Sequence, residues 1–286
     1  MAANLLAGKE VAEKIKQTVK EDLALLKARG MTPKLVALQV GENPSSQVYL
    51  NAQKKNCTAL GIEHQVNTLQ SDISEHHLIK QLIQLNEDKT VTGIIIQMPL
   101  PEGFDTRKIQ SLINPVKDVE GMNPANMGWI VYGRARLAPC TALAVKTLIE
   151  YTGVELYGKE VVMVGHSEIV GKPVGLFLVD KFATISICHI GTSKAGHLEE
   201  HVRRAEILVV AVGKANLIPG SWIKEGAIVI DVGINRVGDR IVGDVEFDAA
   251  KERAAWITPV PGGVGPVTTA MLLKNVVEAA KMQADN

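Results

Sequence analysis

Helical periodicity and short β-branched runs alternate along this chain, and that alternation limits its fold more than any other feature. Apolar residues spaced at about 3.6 predict an amphipathic helix from Glu10 to Arg29, ending at Gly30. Lys34 to Val40 then reads as a buried strand, Ser46 to Leu60 as a helix ending at Gly61, Ile73 to Leu85 as a helix and Val91 to Gln97 as a strand. After Pro139-Cys140-Thr141 comes a helix from Ala142 to Tyr151 and a second series of strands: Glu160 to Val164, Thr184 to Cys188, Ile207 to Val212 and Ala227 to Asp231. A helix beginning near Gly171 separates the first two of these, and Val267 to Met282 is again amphipathic. The pattern predicts an α/β fold with mostly parallel sheet. We expect two α/β domains, residues 1–140 and 141–266, with the helix over 267–286 packing back on the first and a ligand cleft between them.

Bulk properties narrow the ligand. The 286 residues carry 31 basic and 31 acidic side chains, so there is no electrostatic footprint for nucleic acid or an anionic membrane. Aromatics make up 4%, too few to suggest a stacking platform for bases. Cys57, Cys140 and Cys188 are odd in number and widely spaced, which builds neither a disulfide framework nor a zinc site. The N-terminus has no basic n-region, and apolar runs such as Ile207 to Val212 fall far short of the roughly 20 residues that span a bilayer. The expectation is a cytoplasmic protein with a small-molecule ligand and no metal.

The strand Val161-Val162-Met163-Val164 runs into Gly165-His166-Ser167-Glu168-Ile169-Val170-Gly171-Lys172-Pro173. A strand, a glycine turn and a helix start are what a dinucleotide pyrophosphate needs: close backbone approach at glycine and N–H groups at a helix N-terminus. Gly165, His166, Ser167, Val170, Gly171 and Pro173 are therefore cofactor candidates, although the spacing is not G-x-G-x-x-G. Val212 and Gly213, where a later strand ends, join them. The strand that follows ends Cys188-His189-Ile190-Gly191, with neither the carboxylate that holds a ribose 2′-hydroxyl nor an arginine for a 2′-phosphate. His189 reads equally as an adenosine contact or a structural histidine.

Four segments are dense in proline, glycine and polar residues: Gly41 to Tyr49 leading into Gln53-Lys54-Lys55, Gln97-Met98-Pro99-Leu100-Pro101, Pro115-Val116-Lys117-Asp118-Val119-Glu120-Gly121, and Thr258-Pro259-Val260-Pro261-Gly262-Gly263-Val264-Gly265-Pro266. With Pro139-Cys140-Thr141, Gly171-Lys172-Pro173 and Asp231-Val232-Gly233-Ile234-Asn235, they resemble, in order and over essentially the whole chain, the methylenetetrahydrofolate dehydrogenase/cyclohydrolase family. The resemblance implies an N-terminal folate domain, a Rossmann-like NAD(P) domain and a homodimer. It implies hydride transfer from the folate methylene bridge to nicotinamide, then addition of water to the methenyl cation. Tyr49 matches a tyrosine that stacks on the folate, and Gln97 a glutamine that supports a catalytic lysine. Pro99 and Leu100, and the loop Pro261, Gly262, Gly263 and Val264, match substrate-binding segments, and Ile234 matches a residue near the nicotinamide.

Two catalytic positions depart from the family pattern. The lysine of Tyr-x-x-x-Lys is Gln53, and the aspartate of KDVDG is Glu120. An amide cannot act as acid or base near neutral pH, whereas hydride transfer rests on positioning and the cofactor's own chemistry. The reading is therefore a dehydrogenase with impaired cyclohydrolase activity. Lys54 is turned about 100° away on a helix. Glu120 keeps the carboxylate that accepts from the pterin. His166 and Ile190 stand where NADP-dependent members carry arginine and serine, and a hydrocarbon beside a phosphate is costly, which favours NAD over NADP. The alternatives are a fully bifunctional enzyme and a catalytically silent folate- or nucleotide-binding protein.

Overall fold

The computed structural model describes residues 3–41 and 44–285, without the side chains of residues 44–46 and 48. Glu42 and Asn43 of the first segment, and the side chains of Pro44, Ser45, Ser46 and Val48, lie outside the described residues. In chain order the elements are β1 (Asn4–Leu5), α1 (Gly8–Ala28), β2 (Lys34–Val40), α2 (Pro44–Leu60), β3 (Glu63–Leu69), α3 (Glu75–Glu87), β4 (Gly93–Ile96), α4 (Thr106–Ser111), α5 (Pro124–Val131) and α6 (Cys140–Tyr151). There follow β5 (Glu160–Val164), α7 (Gly171–Val179), β6 (Thr184–Cys188), α8 (Ile190–Lys194), α9 (Leu198–Arg204), β7 (Ile207–Val210), β8 (Ile228–Asp231), β9 (Asn235–Val237), β10 (Arg240–Val242), α10 (Phe247–Lys251), β11 (Trp256–Ile257) and α11 (Val264–Ala284). They form two compact units. One comprises Met1–Lys14 and Pro139–Met271, the other Ile15–Ala138 and Leu272–Asn286.

The second unit is built on a parallel sheet in the order β3-β2-β4. Its centre, Leu35 to Leu38, is completely buried, as expected of a strand covered on both faces. The strand β3 escapes the sequence reading because it is an edge: Glu-His-Gln-Val-Asn-Thr-Leu is mostly polar, yet all seven residues pair with β2. Residues 117–120 run alongside β4, with Ile94 bridging to Asp118 and the Ile94 N–H donating to the Lys117 carbonyl at 2.8 Å. Leu78, Leu82, Ile94, Ile96 and Ile109 form the core beneath α3. Lys117 is itself buried and caps α3, donating to the carbonyls of Leu85 (3.1 Å) and Asp88 (2.7 Å). From the later part of α11, Asn275 donates to the carbonyls of Val119 (2.8 Å) and Ala138 (3.0 Å), and Gln283 to those of Thr92 and Val116.

The first unit holds a six-stranded parallel sheet in the order β1-β11-β8-β7-β5-β6. The four long strands are those the β-branched runs predict. The outer pair, β1 and β11, are two residues each, below the length at which a pattern is readable. Because β1 pairs with β11, the first 14 residues sit with this unit, where the sequence boundaries put residues 1–140 together. From β5 the chain moves outward to β6 and then returns to β7 on the other side, so the topological switch lies at the C-terminal ends of β5 and β7. The strand β7 stops two residues before the predicted end, since the Val212 N–H leaves the ladder for the Asp244 carboxylate at 2.7 Å.

Candidate functional site

In the three-stranded unit, polar groups gather where the sheet meets α2 and at the C-terminal ends of its strands. Leu50, Gln53 and Cys57 lie at helical spacing on the buried face of α2. Gln53 is only 2% exposed; its Oε1 lies 3.4 Å from Nε2 of His64 on β3, and its Nε2 is buried with no hydrogen-bond partner among the described residues. The imidazole tautomer that donates from Nε2 fits this contact, and His64 Nδ1 is likewise buried with no partner among the described residues. Burial, reinforced by the charge of Lys54, holds the His64 pKa below its usual range, so the ring is neutral at pH 7. Lys54 itself is exposed, on a different face of the helix from Gln53. Burial pushes the Cys57 thiol up to about 12, which leaves it a packing residue. Tyr49 keeps 42% of its surface in solvent.

Gln97 follows β4, with its N–H on the Leu38 carbonyl at 2.8 Å, which aligns it beside Gln39. Both side chains are more than nine-tenths buried, and among the described residues neither amide oxygen has a partner. Gln39 Nε2 donates to the Gly41 carbonyl at 2.6 Å, whereas Gln97 Nε2 makes only a long contact with the Met98 carbonyl at 3.5 Å. No hydrogen bond joins Gln53 to Gln97. On the neighbouring segment, Asp118 is fully buried and organises the turn after it, accepting from the Asn123 N–H (2.6 Å) and from Asn126 (2.9 Å). Glu120 is two residues further on. Burial, reinforced by the nearby Asp118, pushes its pKa up to about 8, although its backbone contact to Ile96 favours the ionised form. At neutral pH this carboxyl is mostly protonated, hence both donor and acceptor. Pro99 is exposed after a cis Met98–Pro99 bond, and Leu100 packs on the core.

In the six-stranded unit the cofactor candidates ring the C-terminal edge of the sheet. Gly165 takes φ +123°, and a Cβ there would collide with the Ala211 carbonyl. A Cβ on Gly171 would collide with the Gly165 carbonyl, so both glycines are needed to close the turn. The helix α7 starts at Gly171 with no side-chain cap on its N-terminus, and Pro173 is buried in its first turn. The Ser167 hydroxyl accepts from the Val170 N–H at 3.2 Å. His166 and His189 come together, ring centroids 5.3 Å apart, and His189 Nδ1 accepts from the Gly191 N–H at 3.1 Å. Ile169, Ile190, Val212 and Ile234, each just beyond the end of a different strand, are all at least 45% exposed. Such apolar exposure at strand ends suits a flat ligand laid across them. Pro261, after a cis bond, and Gly262, with φ +105°, are exposed, while Gly263 and Val264 are buried as α11 begins, and Gly262 accepts from the Gly8 N–H at 2.9 Å.

Three residues of this arrangement were not singled out by the sequence. Gln39 is the one polar residue inside Leu-Val-Ala-Leu-Gln-Val, a mark a reader could have used. His64 sits on the unrecognised β3. Asp244 follows a short hairpin, and nothing in its sequence neighbourhood announces that it is completely buried.

Comparison with known proteins agrees with this layout. Residues 6–120 match the sequence profile of the tetrahydrofolate dehydrogenase/cyclohydrolase catalytic domain, and residues 139–284 that of the corresponding NAD(P)-binding domain. The bifunctional protein FolD of Moorella thermoacetica is 48% identical over 282 residues, covering 98% of this chain and all of that protein. Among solved structures, the bifunctional enzyme FolD of Campylobacter jejuni superposes with a TM-score of 0.94 at 41% identity, over 98% of this chain and 99% of that one. The Trypanosoma brucei methylenetetrahydrofolate dehydrogenase-cyclohydrolase, solved with NADP and an inhibitor, gives 0.94 at 38% identity over the full length of both chains.

Proposed function

Because this chain belongs to the tetrahydrofolate dehydrogenase/cyclohydrolase family, we propose that it is an NAD(P)-dependent 5,10-methylenetetrahydrofolate dehydrogenase of one-carbon metabolism whose cyclohydrolase step is impaired. The observation that carries this is Gln53. The position where the family pattern has lysine holds a buried, neutral amide, held at one end by His64 rather than by Gln97. Activating a water requires a group that can take up a proton, and an amide cannot.

The residues present fit both ligands. Gly165 and Gly171 let the backbone close on a pyrophosphate, and the uncapped start of α7 supplies its electrostatic match. When bound there, the nicotinamide supplies the hydride acceptor; the protein's work is to bind and orient. Glu120 accepts from the pterin amino group and ring N–H, Gln97 and Gln39 offer buried amide oxygens, and Tyr49 presents an exposed ring for stacking. Pro99 and Leu100 complete the proposed folate contacts of the three-stranded unit. Ile190, 67% exposed at the end of β6, supports NAD over NADP, since it offers a 2′-phosphate no partner. We further propose a cytoplasmic homodimer, which sedimentation equilibrium would test.

A second reading, the full bifunctional enzyme, is favoured by the relatives, which are named bifunctional. One assay separates the two. The purified protein is mixed with methylenetetrahydrofolate and NAD or NADP, and reduced cofactor and methenyl product are followed together. Accumulation of both supports dehydrogenase alone. Reduced cofactor without methenyl build-up means that both steps run, and neither signal means a binding protein. A kcat/KM that strongly favours NADP would overturn the NAD assignment.

A further inference from the structure

We propose that Asp244 fixes which half of the dinucleotide lies over β7 and β8, and biases that half-site toward the oxidised, positively charged nicotinamide. The inference rests on reading the six-stranded unit as the dinucleotide-binding one.

The loop after β7 has turned its donors inward. The Ala211 N–H donates to the Val164 carbonyl at 2.8 Å. Those of Val212 and Gly213 donate to Asp244 Oδ2 at 2.7 and 2.9 Å, and that of Lys214 to Oδ1 at 2.8 Å. The loop after β8 does the same: the Val232 N–H donates to the Val210 carbonyl at 2.8 Å, and that of Gly233 to Asp231 Oδ1 at 2.9 Å. Asp231 in turn accepts from the backbone N–H groups of Asp244 and Val245, at 3.0 and 2.9 Å. Asn235 completes the shell of Asp244, donating to Oδ1 at 2.8 Å. Both carboxylates are buried, Asp244 completely. The chain leaves room for them with glycine: a Cβ on Gly233 would strike the Asp244 carboxylate, and one on Gly243 would strike that of Asp231.

These bonds decide what the two loops can recognise. A phosphate needs N–H donors, and the amides from Ala211 to Lys214 and at Val232 and Gly233 are already engaged. In the turn after β5 the N–H groups of Gly165, Val170 and Lys172 are engaged too, but those of His166, Ser167 and Ile169, and of Gly171 at the uncapped start of α7, have no hydrogen-bond partner among the described residues, so the donors for a phosphate belong there. Under the loop after β7 lies a buried acidic group one hydrogen bond away. That environment repels a phosphate and suits a cationic ring whose carboxamide NH₂ is a donor. The exposed Val212 and Ile234 add apolar contact. Asp244 is thus a positioning residue: it acts on the cofactor through the backbone it holds and through its charge.

The test is equilibrium binding of NAD⁺, NADH and ADP-ribose, which lacks the nicotinamide, to the full-length protein and to Asp244→Asn. The amide turns an NH₂ toward amides that need an acceptor, and it removes the charge. NAD⁺ should bind about tenfold more weakly, the loss of a charged hydrogen-bonding acceptor. NADH should weaken by less, and ADP-ribose should bind as before. Asn235→Ala is the milder variant, removing one donor that offsets the Asp244 charge. It should move the ratio of NAD⁺ to NADH affinity the opposite way, which keeps the inference testable if D244N does not fold. Equal losses for NAD⁺ and ADP-ribose would reduce Asp244 to a general structural role. An unchanged NAD⁺/NADH ratio in both variants would remove the charge effect. A wild-type protein that binds neither NAD⁺ nor ADP-ribose would overturn the dinucleotide reading itself.

Discussion

Folate affinity should rise steeply with pH, and Glu120 should be the cause. Its carboxyl group has a pKa of about 8 in the ligand-free protein, set by burial and by the proximity of Asp118. A pterin offers this position two N–H donors, which an ionised carboxylate accepts and a protonated one does not fully satisfy. Binding must then expel the proton. With a pKa of about 8, roughly 1% of molecules are ionised at pH 6, about 9% at pH 7 and half at pH 8. The dissociation constant for a tetrahydrofolate should therefore tighten about tenfold from pH 6 to 7 and about 50-fold from pH 6 to 8. Calorimetry in buffers of different ionisation enthalpy should register the release of close to one proton at pH 6. Glu120→Gln should flatten the slope and weaken binding at pH 8 by more than about tenfold, since the amide faces donors with one acceptor and a competing donor. A wild-type affinity that does not change between pH 6 and 8 would refute the reasoning. The same shift acts on folding. The folded state keeps a proton that the unfolded chain releases above about 4.5, so the Glu120 contribution to stability is lost as pH climbs toward 8.

Other perturbations follow from single contacts. Gln53→Lys should raise methenyltetrahydrofolate hydrolysis at least about tenfold, in line with typical general acid–base effects, while the dehydrogenase rate changes little; unaltered hydrolysis would place the defect elsewhere. Gly165→Ala puts a methyl group into the Ala211 carbonyl at a φ that L-residues avoid, and should weaken NAD⁺ binding by more than tenfold on a titration by intrinsic fluorescence or calorimetry. Lys117→Met keeps the stem but strands the carbonyls of Leu85 and Asp88, and should cost about 1–3 kcal/mol in urea denaturation without changing NAD⁺ affinity.

Lys117 also shows how far the sequence could be read. The KDVEG segment points to folate chemistry, but two of its charged residues, Lys117 and Asp118, are structural. One caps a helix and the other shapes a turn, and only Glu120 is left for the ligand. The distinction depends on which carbonyls come within reach, and these belong to residues some 30 positions away. The buried strands were legible because continuous β-branched runs are what a strand covered on both faces requires. The edge strand β3 was not, since its water-facing side chains erase the pattern while its backbone still pairs. The partnership of Gln53 with His64 was hidden for the same reason. The glycine turn at Gly165 was legible because its steric demand is local, whereas Asp244 acts on amides about 30 residues away.

Both units are made from pieces that are far apart in the chain, and this bears on how the protein is born. The strand β1 waits for β11, some 250 residues later, and the carbonyls of Val119 and Ala138 wait for Asn275 near the C-terminus. At ribosomal speeds of about 5–20 residues per second, these partners emerge roughly 7 to 50 seconds after the groups they satisfy. Neither unit can be completed in sequence as the chain leaves the ribosome. Until β11 emerges the nascent protein holds an unfinished sheet edge, and until the middle of α11 emerges it holds buried carbonyls still lacking donors, and that interval is when a chaperone would find it.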